Sequence, residues 1–186
     1  MEAPARMLRY RNMNQSELYK IYKEPQDLPR ASRILSHPVF LRELNKLETY
    51  EKDRIYCRHN MTHLLDVARI GWIMILEQGL PVSKDVMYAA GLLHDIGKGI
   101  QYEGGTPHNI SSAELAGPIL TDCGFTQAEN DLICKAILCH RKPCSEPEPL
   151  VQILYAADKT SRACYACHAC QDCDWSDKKK NLSLTL

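Results

Sequence analysis

Apolar residues recur at three-to-four spacing along most of the chain, the mark of helices with one buried face. The first clear run is VFLRELNKLETY, with Phe40, Leu41, Leu44 and Leu47 on one stripe. Ser36-His37-Pro38 ahead of it suits a helix start, with Pro38 near the first helical position. A second run spans about 58 to 78, where Leu64, Val67, Ala68, Gly71 and Ile75 form the stripe and Pro81 breaks it. Ser83 then caps a helix through DVMYAAGLLHDI, stopped by Gly97 and Gly99. Ser111-Ser112-Ala113-Glu114 reads as a capping box for a helix to about 122, and Thr126-Gln127-Ala128-Glu129 repeats the device before NDLICKAILCH. After the proline-rich break KPCSEPEP, a last long helix begins near Leu150. No stretch alternates apolar and polar residues as a half-buried strand would. The expectation is an all-α fold, a single helical bundle over residues 31–165. Residues 1–30, with prolines at 4, 25 and 29, read as an extension with a short helix around SELYKIYK, and residues 166–186 as a Cys-rich, basic tail.

At 186 residues the chain can bury a substantial core without staples. Its 23 basic and 23 acidic residues cancel, so no global field draws it to nucleic acid or to an anionic membrane. GWIMILEQGL is interrupted after six apolar positions, which argues against a transmembrane span, and MEAPARMLRYRNM has no apolar signal core. Nine cysteines, an odd number, are scattered and read as reduced thiols of a cytoplasmic protein.

The titratable residues then change the picture. His59 and His63 are four apart, which on a helix sets both on one face, with Asp66 three residues further. His94 and Asp95 end their helix, His108 immediately precedes a capped one, and His140 closes another. Asp158 lies in LVQILYAADKTSRA on the face marked by Leu150, Leu154, Ala157 and Ser161. A carboxylate there costs several kcal/mol of desolvation unless a cation or an arginine compensates it. Imidazole with carboxylate suits Fe, Mn, Co, Ni or Zn better than the all-oxygen sites of Ca or Mg. Spacing alone does not bring these groups together, so the residues point to a metal site and not yet to a function.

His63, then His94-Asp95, then Asp158 resembles the H…HD…D signature of the HD superfamily of metal-dependent phosphohydrolases. HLLDVAR looks like that family's first helix, GLLHDIGK its doublet helix and ILYAADKTSR its last, and the match covers roughly residues 55 to 165. A subset of the superfamily carries two further histidines, and His108 and His140 fall where that subset has them. The chain is most similar to the HD-type bis(nucleoside) tetraphosphate hydrolases. The resemblance implies two divalent metal ions, iron or manganese first and Co, Ni or Zn also admitted. It implies His63, His94, Asp95, His108, His140 and Asp158 as ligands, with Asp95 bridging. Two cations about 3.5–4 Å apart would neutralise a phosphoester and lower the pKa of a water between them.

Lys98, one turn beyond Asp95, could contact a phosphate, or be a solvent lysine at a helix end. Arg162, four residues after Asp158, could bind a second phosphate or pair with a buried carboxylate. Asp66 could orient His63 or take part in proton transfer, or form a surface pair with Arg69. His59 is not required by the family's pattern. The expected activity is hydrolysis of a phosphoester or phosphoanhydride, in a nucleotide or dinucleotide. The expected partner is therefore a phosphorylated small molecule, with no nucleic acid and no membrane. An apolar helix face leaves room for a homodimer. Two other classes share the ligand set: a di-iron oxygenase of the same fold, and a nucleotide sensor without turnover.

CYACHACQDC places Cys164, Cys167, Cys170 and Cys173 three residues apart. Thiols at that density suit zinc or iron–sulfur ligation. On a straight helix, however, steps of three rotate each thiol by about 60° and fan the four over about half the cylinder. The run is therefore open between packing thiols, a second metal site and a redox pair.

Overall fold

A computed structural model describes residues 28–143 and 145–184 of the chain. The helices are α1 (Ala31–Ile34), α2 (Pro38–Tyr50), α3 (Met61–Gln78), α4 (Lys84–Leu93), α5 (Lys98–Tyr102), α6 (His108–Asp122), α7 (Gln127–Cys139) and α8 (Pro149–Thr160). One 3-10 turn follows at Cys164–Ala166, and no strand occurs among the described residues. The fold is all-α, as the apolar spacing predicts. The helix expected around SELYKIYK lies outside the described residues.

Four of the eight described helix starts follow from side-chain caps that satisfy otherwise orphaned N–H groups. His37 accepts from Val39 N–H, with Pro38 as the first helical residue. Ser83 accepts from Val86 N–H, and Thr126 and Glu129 form the reciprocal box predicted for α7. Three boundaries differ from the sequence reading. α3 begins at Met61, not 58, because Asn60 accepts from His63 N–H and fixes the start there. His59 therefore stands on the loop ahead of α3 and does not share its face.

α4 ends at Leu93, and the glycines are not its terminators: Gly97 leads into α5 and Gly99 lies within it. The requirement at Gly97 is space. A Cβ there would lie 2.4 Å from Ser112 N and 2.6 Å from Ser111 C. α6 begins at His108, ahead of the expected capping box. The hydroxyls of that box are used elsewhere: Ser112 Oγ accepts from Gly97 N–H at 2.9 Å, and Ser111 Oγ donates to Thr106 O at 3.2 Å.

α4 runs through the middle of the bundle, packed against α3 along one side and touching α6, α7 and α8. Its close approach to α3 depends on Gly91, where a Cβ would meet Ala68 N at 2.8 Å. α6 and α7 form a second pair, and α8 closes the bundle across α3 and α7. Phe40, Leu64, Met87, Leu93, Ile119, Ile137 and Leu154 are fully buried between them. Each such side chain contributes roughly 1.5–3 kcal/mol through removal from water. That packing aims the C-terminal end of α4, with His94 and Asp95, at the centre of the molecule. No described helix is long and apolar enough to cross a membrane.

Candidate metal centre

Six predicted ligands converge. His63, His94, Asp95 and Asp158 form one group of ligand atoms and Asp95, His108 and His140 a second, the atoms of each group lying within 4.8 Å of one another. All six residues are buried. Asp95 divides its carboxylate between them. Its Oδ2 lies 3.1 Å from His94 Nε2 and 3.5 Å from His63 Nε2, while its Oδ1 lies 3.3 Å from His108 Nε2 and 3.5 Å from His140 Nε2. Asp158 Oδ1 completes the first group, 3.4 Å from His63 Nε2.

The backs of the rings explain why Nε2 faces inward on all four. His94 Nδ1 is 2.8 Å from Gly91 O and His140 Nδ1 faces Ile137 O, each a carbonyl three residues earlier on its own helix. His108 Nδ1 lies 2.7 Å from Gln101 Oε1, and His63 Nδ1 lies 3.3 Å from Ser161 Oγ. Oxygen partners on Nδ1 place a ring proton there and leave Nε2 as the nitrogen that ligates metal once it carries no proton. Two such nitrogens, His108 Nε2 and His140 Nε2, face each other at 3.2 Å, a distance that calls for a proton or a cation between them. His94 Nε2 and Asp95 Oδ1 are buried without a hydrogen-bond partner. Buried polar atoms left so cost free energy that a bound cation removes. The residues present fit two first-row divalent ions.

The electrostatics follow the same logic. Burial works against the charge on Asp95 and Asp158, but the surrounding imidazoles, with Arg162 beside Asp158, outweigh it and hold both carboxyls well below their usual range. Burial pushes His108 down to about 3, so its ring is neutral. His94 goes the other way: burial opposes its charge, yet Asp95 and Asp158 raise it to about 9. An ion entering there displaces a proton.

Asp158 has the arginine considered for it and also stands in the first ligand group. Arg162 Nη2 lies 3.1 Å from its Oδ1 and 3.0 Å from His63 Nε2, and Lys159 Nζ bonds its Oδ2. Arg162 is thus the ion-pair partner, yet it also lines the cavity above the ligands with Lys98, Arg141, Lys142, Lys159 and Lys179. That cavity, of about 360 Å³, has Asp95 and Asp158 in its wall and carries a ring of six cationic side chains. Burial, helped by Arg162, lowers the Lys98 ammonium from its ordinary value. Asp66 takes no place in this site. It is half exposed on the outer side of α3, 3.9 Å from Arg69, and Ser161 occupies the position behind His63 that Asp66 was expected to fill.

Sequence reasoning missed several supports. His59 is buried, with Nε2 3.9 Å from Asp95 Oδ2 and Nδ1 bonded to Glu51, a carboxylate that also accepts from His59 N–H and from Tyr102 O–H at 2.6 Å each. Gln101 behind His108 is a second omission, and no spacing rule would have marked it. The C-terminal segment is a third: Trp175 and Lys179 form part of the cavity wall. Trp175, the last aromatic residue in the chain, was the available signal.

A helical bundle with a buried histidine–aspartate double cluster defines a metal-binding domain. The HD domain pattern matches residues 60–163, and the chain belongs to that family. Membership, with the two clusters, indicates metal-dependent phosphohydrolase chemistry. The chain is 41% identical over 157 residues to an uncharacterized protein of Clostridium beijerinckii, covering 84% of this chain and 99% of that one. It is 34% identical over 121 residues to Ribonuclease Y of Lawsonia intracellularis, covering 65% of this chain and 21% of the relative. Ribonuclease Y of Pseudothermotoga lettingae is 30% identical over 165 residues, 86% of this chain and 29% of the relative. The chain thus spans less than a third of the Ribonuclease Y proteins it resembles. No solved structure matches it.

Proposed function

We propose that the protein hydrolyses a phosphoester or phosphoanhydride bond in a nucleotide or dinucleotide at a centre for two divalent ions, iron or manganese. The observation that carries this reading is Asp95, whose two oxygens serve two separate ligand groups beneath a cationic cavity. When bound, the ions supply charge neutralisation at phosphorus and activation of water. The chain's own residues supply the rest. Lys98 and Arg162 hold phosphate oxygens close to the ligands, while Lys142, Lys159 and Lys179 take the outer phosphates. The imidazole of His59, pushed down to about 4 by burial, stays neutral and offers Nε2 to the same cavity as a hydrogen-bond acceptor. A volume of about 360 Å³ falls in the range of small-molecule sites and suits a mononucleotide portion of the substrate.

The similarity to proteins called Ribonuclease Y favours a second reading, in which the phosphodiester belongs to RNA. The experiment is metal content followed by turnover. Protein carrying about two equivalents of iron or manganese is assayed against diadenosine tetraphosphate, mononucleotides and a short RNA. Cleavage of the dinucleotide but not RNA supports the first reading, and the converse supports the second. Oxygen uptake without phosphate release would move the site to oxygenase chemistry. Tight nucleotide binding without product under every metal would leave a sensor.

A further inference from the structure

The segment from Ala163 to Lys180 should not hold its shape on apolar packing. Past Arg162 it contains no α-helix, and its buried apolar residues are Cys164 and Ala169. Ordering a residue costs roughly 1–2 kcal/mol of backbone entropy, far more in sum than two small buried side chains return. Yet this segment carries Trp175 and Lys179 to the metal cavity and rests on the loop before α3, where Tyr56 O–H donates to Asp172 O at 3.3 Å.

What the segment does concentrate is sulfur. Cys167 N–H donates to Cys164 O at 3.2 Å, and Cys170 N–H donates to Cys167 O at 3.1 Å. The chain here is therefore not the straight helix that fans the thiols, but two successive turns each closed three residues apart. Cys167 between them is extended (φ −86°, ψ 120°), so the two turns are separate and the angular fan of a continuous helix does not set where the thiols lie. Cys57, from the loop before α3, borders the same groove as Cys167. Cys57, Cys167 and Cys170 are the thiol neighbours that act on Cys164 electrostatically. All four are free thiols, and burial raises the Cys164 thiol above its usual pKa. Their sulfurs are not within ligand-to-ligand distance as a set, since the groups that meet 4.8 Å among the described residues are the histidine–aspartate ones. The thiols must turn about their side-chain bonds to close on an ion.

We propose that Cys57, Cys164, Cys167 and Cys170 bind one Zn2+ as a tetrathiolate site that fastens the C-terminal segment to the loop before α3. Thiolate is the donor class that selects zinc, and joining a turn pair to a cysteine from a separate segment is how such sites tie loops together. The ligands lose their protons on binding and the ion offsets the charge they bring. Held this way, the segment sets Trp175 and Lys179 over the cavity without belonging to the helical core. This site shares no ligand with the histidine–aspartate centre.

The test loads Co2+ alone into untagged, metal-stripped, reduced protein. Four thiolates give an intense thiolate-to-cobalt charge-transfer band and a tetrahedral ligand-field spectrum, which nitrogen and oxygen donors do not. The band should appear in the wild type, and in Asp95→Ala, which lacks the two-ion centre, it should titrate at one cobalt per chain and vanish when one zinc is added. It should persist in Asp95→Ala and in Cys173→Ser, and be lost in Cys167→Ser/Cys170→Ser. A wild-type protein that takes up cobalt without the charge-transfer band overturns the proposal even if the double variant does not fold. So does a band lost with Asp95→Ala, or purified protein in which these thiols are paired as disulfides.

Discussion

Replacing Glu51 by glutamine isolates one buried carboxylate that the sequence did not mark. Glu51 is 3% exposed and accepts three hydrogen bonds: His59 Nδ1–H and Tyr102 O–H on Oε1, and His59 backbone N–H on Oε2. Glutamine keeps one acceptor oxygen and turns the other position into a donor. In its better orientation the amide oxygen serves His59 Nδ1 and Tyr102, and its NH2 then opposes the His59 N–H. One charge-assisted bond, worth about 1.5–3 kcal/mol, is lost, and a buried donor costing about 1–3 kcal/mol is left unpaired. The two costs overlap, so Glu51→Gln should lower stability by about 2–4 kcal/mol at neutral pH.

Acid gives a second check. Burial alone would raise the Glu51 carboxyl, but His59 and the Tyr102 hydroxyl outweigh it and hold it down at about 2 from its ordinary 4.5. A depressed carboxyl contributes stability that is complete above the unfolded value and lost as pH falls from 4.5 towards 2. In the variant that component is missing, so the two stability curves should converge at low pH. Urea unfolding with a chelator present, at neutral pH and near pH 3.5, measures both. A neutral-pH difference below about 0.5 kcal/mol, or a difference as large near pH 3.5 as at neutral pH, refutes the account of Glu51.

Asp95→Ala should lose both ions and all turnover, read by metal analysis and phosphate release; full activity would remove the site assignment. Gln101→Leu leaves His108 Nδ1 without its acceptor and should weaken the ion held by His108 and His140 by about 10–100-fold, seen as one weakened equivalent in competitive chelation. Gly97→Ala drives a Cβ into Ser111 and Ser112 backbone atoms and should cost about 1–3 kcal/mol in thermal or urea unfolding. Because His94 is held up at about 9 and must lose its proton on loading, metal affinity should rise with pH through the neutral range, with proton release measurable by calorimetry in buffers of different ionisation enthalpy.

The helices were legible in sequence because each carries a 3.6-residue apolar stripe, and the ligands because the HD signature fixes their order. Caps were legible only where the capping side chain had no competing task. The Ser83 and Thr126 hydroxyls serve their own helix starts, whereas Ser111 and Ser112 serve the α5–α6 contact and the helix starts without them. His59 was assigned to the wrong element because a four-residue step to His63 suggests one helix face, and the cap at Asn60 intervenes. Ser161 lies 98 residues from the ring it orients, and Glu51 and Gln101 reach theirs across loops whose path no helical spacing predicts, so only packing reveals them. Asp66 failed for the opposite reason: it is one turn from His63, but the helix turns it outward.

The division of Asp95 between two ligand groups would make two ions bound there thermodynamically linked. With one ion in place, the carboxylate is already oriented and its conformational cost already met for the second. Against this stands the mutual repulsion of two dications sharing one anion. Loading is therefore a balance of preorganisation and repulsion transmitted by a single side chain, and by reciprocity each ion alters the affinity of the other by the same factor. Occupancy of one position would then control the other, and two ions of different affinity competing for the centre would give a mixed-metal state.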